Sequence, residues 1–404
     1  MAIKYYSTNR ELEGGFKRKV SFTEALFTGM APDKGLFMPS EIPSFSLDEL
    51  RALKGRPYRE VAYAVLKKFL SGEVPDLVLA GIVKDAYDFE VPIGKVGGVS
   101  DALFVMRLDQ GPTASFKDFA ARVMARLMLA IKPKKEEITV LVATSGDTGS
   151  AIGNAYRGLD GINVFILYPE NEVTPVQKNQ LDSIGGNVQA ISLDGKFDDC
   201  QRLVKEAFSD PELKHLSITS ANSINIGRIL PQIAYYFYAY VNVADLANNF
   251  PRVVFSVPSG NFGNSLGCEL ARRMGLPVEK LIIATNENDE FPRLLKTGDY
   301  EKVVPSKNCL SNAMNVGNPS NLARYFALYG GILDKEGKVH KQPDLNGMRK
   351  SLYSVPVTDD ETVKTIKYAF ERYNTMLEPH GAVGFAAALR YVSETGWNLS
   401  LIHI

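Results

Sequence analysis

The sequence comprises 404 residues, of which 45% are hydrophobic and 23% are charged. This length favours two or three domains, and the composition is that of an ordinary globular protein. Lysine and arginine together number 46, as do aspartate and glutamate, so the formal net charge is zero. A balanced charge argues against a nucleic acid or an anionic membrane as a partner bound through bulk charge.

The cysteine content and the apolar segments indicate the cellular compartment of the protein. Cys200, Cys268 and Cys309 are far apart and odd in number, and none has zinc-site spacing with a histidine. We therefore expect no disulfide framework, no metal site and a reducing compartment, the cytoplasm. The N-terminus has no apolar segment typical of a signal peptide. The most apolar helix candidate, 229–247, contains polar residues that are costly in lipid, so we expect no membrane span.

The first part of the chain differs in pattern from the rest. Apolar spacing predicts helices over 21–30 and 58–70, and prolines punctuate this region. From residue 103 onwards strands alternate with helices, and the predicted strands include 103–106, 138–143, 164–168 and 188–193. Such alternation indicates parallel sheets joined by right-handed crossovers, with ligands bound beyond the carboxyl ends of the strands.

Lys117 lies at the start of a helix predicted over 116–129. An isolated lysine is most often a solvated surface charge. Lys117 instead lies between Phe116 and Phe119, in the first helical turn, where the helix dipole disfavours an ammonium ion. Both features favour the uncharged amine that a nucleophilic or general-base lysine needs.

Two polar segments follow strands or precede helices further along the chain. The Thr-Ser-Gly-Asp-Thr-Gly turn at 144–149 follows a strand, and we expect it either to bind a carboxylate or to cap the next helix. The segment 220–228 contains Asn222, Asn225 and Arg228, and arginine can hold a phosphate through two bonds. The alternative for this segment is a capped loop with a surface arginine.

The glycine-rich turn at 259–264 follows the strand predicted at 253–257. Gly260 and Gly263 would allow backbone N–H groups to point at an anion, supported by the dipole of the following helix. The spacing differs from the dinucleotide fingerprint, and an ordinary strand-to-helix turn is the alternative. A lysine amine and an anion cradle together favour an aldehyde-bearing phosphorylated cofactor, of which pyridoxal 5'-phosphate is the obvious one.

Two remaining features allow more than one interpretation. The aromatic run at 235–238 favours core packing or a subunit interface over a role in binding the cofactor. His380 opens a predicted helix, where a polar contact at the helix start and a chemical role are equally compatible with the sequence.

In this order, the segments resemble those of the threonine synthases of the bacterial and fungal type, which carry an extended N-terminal domain. The matching segments are 20–39, 111–119, 143–151, 220–228, 256–264, 284–289, 310–314 and 378–384. The resemblance implies an α/β fold-type-II architecture, similar to the tryptophan synthase β subunit, with parallel sheets flanked by helices and a mainly helical N-terminal domain. We expect domains at 1–100, 101–225 and 226–404.

The resemblance also implies the chemistry and the residues that perform it. The family uses pyridoxal 5'-phosphate to convert O-phospho-L-homoserine and water to L-threonine and phosphate, so this lyase activity on a small-molecule substrate is expected, in a monomer or homodimer. Lys117 matches the lysine that carries the cofactor. The implied cofactor-binding residues are Lys117, Asp147, Gly260, Asn261, Phe262 and Gly263. The expected substrate-binding residues are Ser145, Thr148, Asn222, Asn225 and Arg228.

The final residues depart from the family pattern. The family continues with a strand, a Thr-Ala-His-Pro-Ala-Lys-like segment near the pyridine nitrogen, and a last helix, whereas residues 397–404 do not resemble that ending. We therefore expect the third domain to be incomplete and to lack this strand. Two alternative functions stay open: a phospho-lyase that eliminates phosphate to give a keto acid, and an inactive cofactor-binding protein.

Overall fold

A computed structural model describes residues 2–97, 103–133, 136–144, 146–247, 250–397 and 401–403. Within these ranges the chain forms an N-terminal region, two large sheets that are parallel apart from one edge pairing, and flanking helices. The alternation of strands and helices predicted from residue 103 onwards is confirmed.

The N-terminal region is mainly helical, as expected. Its elements are β1 (Tyr5–Ser7), α1 (Phe22–Thr28), β2 (Phe37–Pro39), α2 (Leu47–Leu53), α3 (Tyr58–Leu70) and α4 (Asp76–Ala86). The two strands pair in an antiparallel ladder. The Ser21 hydroxyl accepts a hydrogen bond from the Glu24 N–H and so caps α1. Helix α3 has the predicted bounds, because its apolar residues recur at helical spacing and are buried.

A smaller sheet forms the first α/β layer. Its strands are β5 (Ile138–Ala143), β6 (Ile162–Pro169), β7 (Val188–Leu193) and β8 (Ser217–Ser220), and its neighbouring helices are α5 (Lys117–Ile131), α6 (Asp147–Tyr156), α7 (Pro175–Asp182) and α8 (Phe197–Ser209). The strands are parallel and lie in the order β7-β6-β5-β8. Val140 and Val142 of β5 are fully buried, as expected for a parallel strand covered by helices.

A larger sheet forms the second layer. Its strands are β3 (Ile93–Lys95), β4 (Leu103–Met106), β9 (Val253–Pro258), β10 (Val278–Thr285), β13 (Leu352–Pro356) and β14 (Leu401–His403), in the order β13-β10-β9-β14-β4-β3. The other α-helices of the described residues are α9 (Ile226–Ile229), α10 (Ala234–Val243), α11 (Gly263–Arg273), α12 (Glu290–Thr297), α13 (Leu322–Leu328), α14 (Leu345–Ser351), α15 (Asp359–Tyr373) and α16 (Pro379–Thr395). A separate antiparallel ladder joins β11 (Ile332–Leu333) and β12 (Val339–Lys341). Strand β4 therefore belongs to the larger sheet, while the lysine helix that follows it packs near the smaller one.

The last described strand, β14, corrects the expectation that the third domain lacks a strand. It pairs in parallel with β4 on one side and with β9 on the other. Ile402 at its centre is fully buried. Strand pairing uses backbone groups and requires only extended residues, so a segment unlike the family ending can occupy this position.

Aromatic side chains form much of the core between the N-terminal region and the α/β layers. Tyr235, Tyr236 and Tyr240 are fully buried, which confirms the core interpretation of the aromatic run. The Phe119 ring packs edge-on against Tyr235 with centroids 6.0 Å apart, so one aromatic neighbour of Lys117 points into the core. No helix within the described ranges is both long and apolar enough to cross a membrane.

Candidate active site

A cavity of about 1460 Å³ is lined by segments of the N-terminal region and by loops from both large sheets. Of the residues expected at the site, those lining this cavity are Lys117, Asp147, Thr148, Asn222, Arg228, Gly260, Asn261, Phe262 and Gly263. The Asn225 side chain lies behind the wall, and Ser145 lies outside the described residues. The cavity thus brings together the four segments that the sequence singled out, 111–119, 144–149, 220–228 and 259–264.

Lys117 is presented by a tightly closed loop. Asp118 is fully buried and accepts hydrogen bonds from the Thr113 N–H at 2.9 Å and the Thr113 hydroxyl at 2.7 Å. Gly111 lies directly over this carboxylate, since a Cβ there would come within 2.5 Å of Asp118 Oδ2. Burial is the largest influence on Asp118 and raises the pKa of its carboxyl. The structure of this loop explains why Gly111 and Thr113 precede the lysine, since both contact the Asp118 carboxylate.

The Lys117 amine faces a carboxylate as well as an aromatic ring. Its Nζ lies 3.2 Å from Asp147 Oδ2 and 5.8 Å from the centroid of the Phe116 ring, and its side chain is 12% exposed. The expected aromatic surroundings are therefore present on one side only. The positive charge of Lys117, helped by a hydrogen bond from Gln177, lowers the pKa of Asp147 to about 2 against the opposing effect of burial.

Gln177 fixes the Asp147 carboxylate and is a site residue that sequence reasoning missed. Its Nε2 donates to Asp147 Oδ1 at 2.7 Å, while its Oε1 accepts from the Thr174 N–H at 3.0 Å. Gly146 makes room for it, because a Cβ there would come within 2.4 Å of the Gln177 side chain. The Thr174–Gln177 capping box is visible in the sequence, but it predicts only a helix start and not a contact with Asp147.

The turn at 260–263 forms the opposite wall of the cavity. Gly263 begins helix α11, and Phe262 before it adopts a left-handed conformation with φ of 60°. Within the described part of the chain, the backbone N–H groups of Gly260, Asn261, Phe262 and Gly263 find no hydrogen-bond acceptor. Unsatisfied N–H groups at a helix N-terminus form a favourable site for an anion such as a phosphate.

Three residues of the 220–228 segment take different positions. Asn222 lines the cavity and donates from Nδ2 to the Ala143 carbonyl at 2.9 Å. Asn225 is fully buried and donates to the carbonyls of Leu26 and Ser220, so its amide is occupied in joining the N-terminal region to the smaller sheet. Arg228 reaches the cavity from a buried position, and burial lowers the pKa of its guanidinium to about 10.

His380 also lines the cavity, although the sequence left its role open. Its Nε2 accepts a hydrogen bond from the Ala313 N–H at 3.1 Å, and its Nδ1 lies 2.5 Å from Glu378 Oε2. The accepting Nε2 places the ring proton on Nδ1, where it is donated to the carboxylate. The imidazole thereby holds the 312–314 turn. This turn packs closely against Gly260, since a Cβ added to Gly260 would lie only 2.6 Å from Met314 Cα.

The assembled groups fit pyridoxal 5'-phosphate. Lys117 supplies an amine for the aldehyde, and the free N–H groups at 260–263 supply donors for the phosphate. Asp147 supplies an ionised carboxylate beside the amine. The aldehyde, the phosphate and a polar ring substituent of such a cofactor thus have complementary groups on different walls of one cavity.

Comparison with known proteins gives matches along nearly all of the chain. Residues 92–398 match the pyridoxal-phosphate dependent enzyme family, and residues 4–87 match the threonine synthase N terminus. The threonine synthase of Serratia marcescens is 38% identical over 384 residues, covering 95% of this chain and 85% of that protein. The threonine synthase of Escherichia coli is 38% identical over 370 residues, covering 91% and 82%.

Solved structures agree with these relatives. The pyridoxal-phosphate-bound threonine synthase of Brucella melitensis has 37% identity and a TM-score of 0.88, covering 100% of this chain and 88% of that one. The yeast enzyme has 34% identity and a TM-score of 0.88, covering 99% and 86%. A threonine deaminase of Solanum lycopersicum, at 18% identity and a TM-score of 0.59, shares the fold alone. These matches confirm the expected fold-type-II class and the dependence on pyridoxal phosphate. The chain therefore belongs to the threonine synthase family of pyridoxal-phosphate dependent enzymes.

Proposed function

We propose that this protein converts O-phospho-L-homoserine and water to L-threonine and phosphate. The observation that carries the proposal is the placement of a lysine amine, an ionised carboxylate and a helix N-terminus with free N–H groups around one cavity. In the overall reaction the Cγ–O bond of the substrate breaks and phosphate leaves. The γ carbon becomes a methyl group, and water supplies the hydroxyl at Cβ.

Each wall of the cavity has a distinct role in this proposal. Bound pyridoxal phosphate supplies an electron sink for the charge that develops when a proton leaves the substrate. Lys117 would hold the cofactor through its Nζ, and the same amine, when free, would take the Cα proton of the substrate. Asp147, itself oriented by Gln177, would hold the Lys117 amine in place inside the cavity. The N–H groups at 260–263 hold the cofactor phosphate.

The substrate is proposed to lie against the polar wall formed by Thr148, Asn222 and Arg228. Ser145 is also proposed to bind the substrate, on the resemblance alone, because it lies outside the described residues. Asn222 and Arg228 each donate one hydrogen bond to a main-chain carbonyl, and this bond orients the side chain. Asn225 instead orders the loop, since both ends of its amide bond to protein groups. We further propose domains at 1–100, 101–225 and 226–404, a cytoplasmic location, and a monomer or homodimer.

The direct test incubates the purified protein, reconstituted with pyridoxal phosphate, with O-phospho-L-homoserine. Phosphate release together with L-threonine, identified by chromatography, is the expected result. Phosphate release with a keto acid instead would establish the alternative phospho-lyase. Cofactor binding without phosphate release would indicate a protein that only binds the cofactor. A Lys117→Ala variant, purified in parallel, controls for a contaminating activity.

A further inference from the structure

We propose that Arg324 is a positioning residue that aims the phosphate-binding N–H groups of the 260–263 turn into the cavity, acting through Asn321. The inference rests on the proposed function, because it takes that turn as the cofactor-phosphate site. Arg324 lies on α13 and does not line the cavity. Its influence therefore has to pass through the residues that it contacts.

Arg324 is a fully buried guanidinium without a carboxylate partner among the described residues. Instead it joins three distant segments. Its Nε donates to the Phe37 carbonyl at 3.1 Å, and its Nη2 donates to the Ile224 carbonyl at 2.6 Å. Its Nη1 donates to the Ser223 carbonyl at 3.1 Å and to Asn321 Oδ1 at 2.6 Å. Burial without a compensating charge lowers the pKa of Arg324 to about 9.

A buried arginine that contacts an amide side chain dictates which way that amide points. A guanidinium has donors and no acceptor, so Asn321 has to present its oxygen to Arg324 and its Nδ2 to the other side. On that other side Nδ2 donates to the Asn261 carbonyl at 2.9 Å. Asn321 is itself fully buried, so neither end of its amide can exchange its partner for water.

The orientation of the Asn261 carbonyl determines the direction of the next N–H group. The 261–262 peptide bond is trans, so the carbonyl of Asn261 and the N–H of Phe262 point in opposite directions. The Phe262 ring is buried against Phe291 and Tyr325. It is therefore the backbone of Phe262 that faces the cavity, and its N–H is free for an anion.

The Asn261 side chain strengthens the same arrangement. Its Nδ2 donates to the Ser223 hydroxyl at 2.6 Å, and its Oδ1 accepts from the Ser320 N–H at 2.6 Å. Ser223 also bonds to Arg324 through its carbonyl, so the turn, the 223–224 loop and α13 form one continuous hydrogen-bond network. Because Phe37 of β2 is part of it, the network also ties the N-terminal region to the phosphate turn.

The test compares two ligands of the full chain, pyridoxal 5'-phosphate and pyridoxal, which lacks the phosphate. The measured quantity is the ratio of their dissociation constants, because it isolates the contribution of the phosphate. Arg324→Lys keeps the positive charge but cannot donate to four acceptors. We expect it to weaken binding of pyridoxal phosphate by about tenfold, the scale of a lost charge-assisted hydrogen bond, and to leave binding of pyridoxal unchanged.

Arg122→Lys is the matched control. Arg122 is also a buried arginine that donates to the backbone carbonyls of Ala86 and Asp85. It differs from Arg324 in also pairing with a carboxylate, that of Asp88 at 2.8 Å, and it does not contact the 260–263 turn. Its replacement is expected to lower stability without changing the ratio. If Arg324→Lys fails to fold, Asn321→Ala replaces it, since it removes the amide link and leaves Arg324 its three carbonyls.

Three results would overturn the inference. Equal weakening of both ligands in the Arg324→Lys variant would show a general structural role, and unchanged binding of both would show no link to the phosphate. If the unmodified chain binds both ligands equally, the turn does not hold the phosphate. That result contradicts the proposed function itself, and it can be seen before any substitution is made.

Discussion

The two walls of the cavity are built from different parts of the polypeptide. On one wall the side chains of Lys117 and Asp147 meet at 3.2 Å, and both belong to helices that begin at these residues. On the other wall the useful groups are backbone N–H groups, held in place by Asn321 and Arg324 from behind. Local sequence thus sets each reactive side chain at a helix start, although their meeting spans 30 residues, whereas the backbone anion site depends on buried contacts between distant segments throughout.

The largest expected effect tests the side-chain wall. Lys117→Ala should lower phosphate release from O-phospho-L-homoserine by about 10³-fold or more, because it removes both the cofactor-carrying amine and the proposed base. Non-covalent binding of the cofactor should persist, since the backbone wall is unchanged. Borohydride treatment followed by peptide mass spectrometry should label Lys117 in the parent protein and nothing in the variant. Labelling of another lysine would contradict the assignment.

The second prediction separates the walls by their response to pH. Lys117 lowers the pKa of Asp147 to about 2, below the ordinary value of an aspartate of about 3.9. A carboxyl whose pKa is lower in the folded state than in the unfolded state stabilises the folded protein at any pH above the unfolded-state pKa. This stabilisation is lost as the pH falls through the folded-state pKa. In the cofactor-free protein, Asp147→Asn should therefore cost on the order of 2 kcal/mol at neutral pH, and the cost should shrink between about pH 4 and pH 2.

Urea unfolding over that pH range measures this cost. Asn321→Ala serves as the comparison from the backbone wall, because its hydrogen bonds involve no group that titrates between about pH 4 and pH 2. Its cost should stay constant as the pH falls. Parallel curves for the two variants would contradict the distinction between an ionic wall and a neutral one.

The third prediction concerns two glycines within the backbone wall. A Cβ at Gly260 would lie 2.6 Å from Met314 Cα, so Gly260→Ala should displace the turn and cost about 1–3 kcal/mol of stability. At Gly263 the nearest atom would be Ile229 Cδ1 at 3.4 Å, an ordinary contact, so Gly263→Ala should change stability by less than about 0.5 kcal/mol. Pyridoxal phosphate affinity, measured beside urea unfolding, should fall in the first variant only. Equal losses would show that the Met314 contact does not shape the turn.

The smallest expected effect lies at the cavity rim. Lys34 and Phe262 both adopt a positive φ, of 65° and 60°, although neither is glycine. Lys34 is exposed, so Lys34→Gly should relieve strain and raise stability by about 1 kcal/mol or less, without changing cofactor affinity. Lys34→Ala is the control, because it removes the charge and keeps the strained backbone. A melting temperature that rises equally in both variants would show that charge, and not backbone strain, is responsible.

Several elements could be predicted from the sequence because they depend on neighbours along the chain. Helix α3 and strand β7 have the predicted bounds, and α5 begins one residue after its predicted start. Apolar periodicity, capping residues and glycine-rich turns carry this local information. Helix α10 is shorter than the predicted 229–247, because residues Leu230–Ile233 form a tighter 3₁₀ turn around Pro231.

The order of the motifs also determined the family. The lysine segment, the turn at 144–149 and the turn at 259–264 are each ambiguous alone, whereas their combination indicates pyridoxal 5'-phosphate from the sequence by itself. The combination is informative because each motif is a short strand-to-helix connection with its chemistry in consecutive residues.

The distant groups that complete the site come together only when the chain folds. Gln177 reaches Asp147 across 30 residues, and Arg324 reaches Phe37 across 287 residues. The Leu401–His403 strand fills the gap between β4 and β9 although its sequence does not resemble the family ending. Neither a long-range hydrogen bond nor a strand of three residues leaves a recognisable pattern in the sequence, because both depend on where the folded backbone places its donors and acceptors.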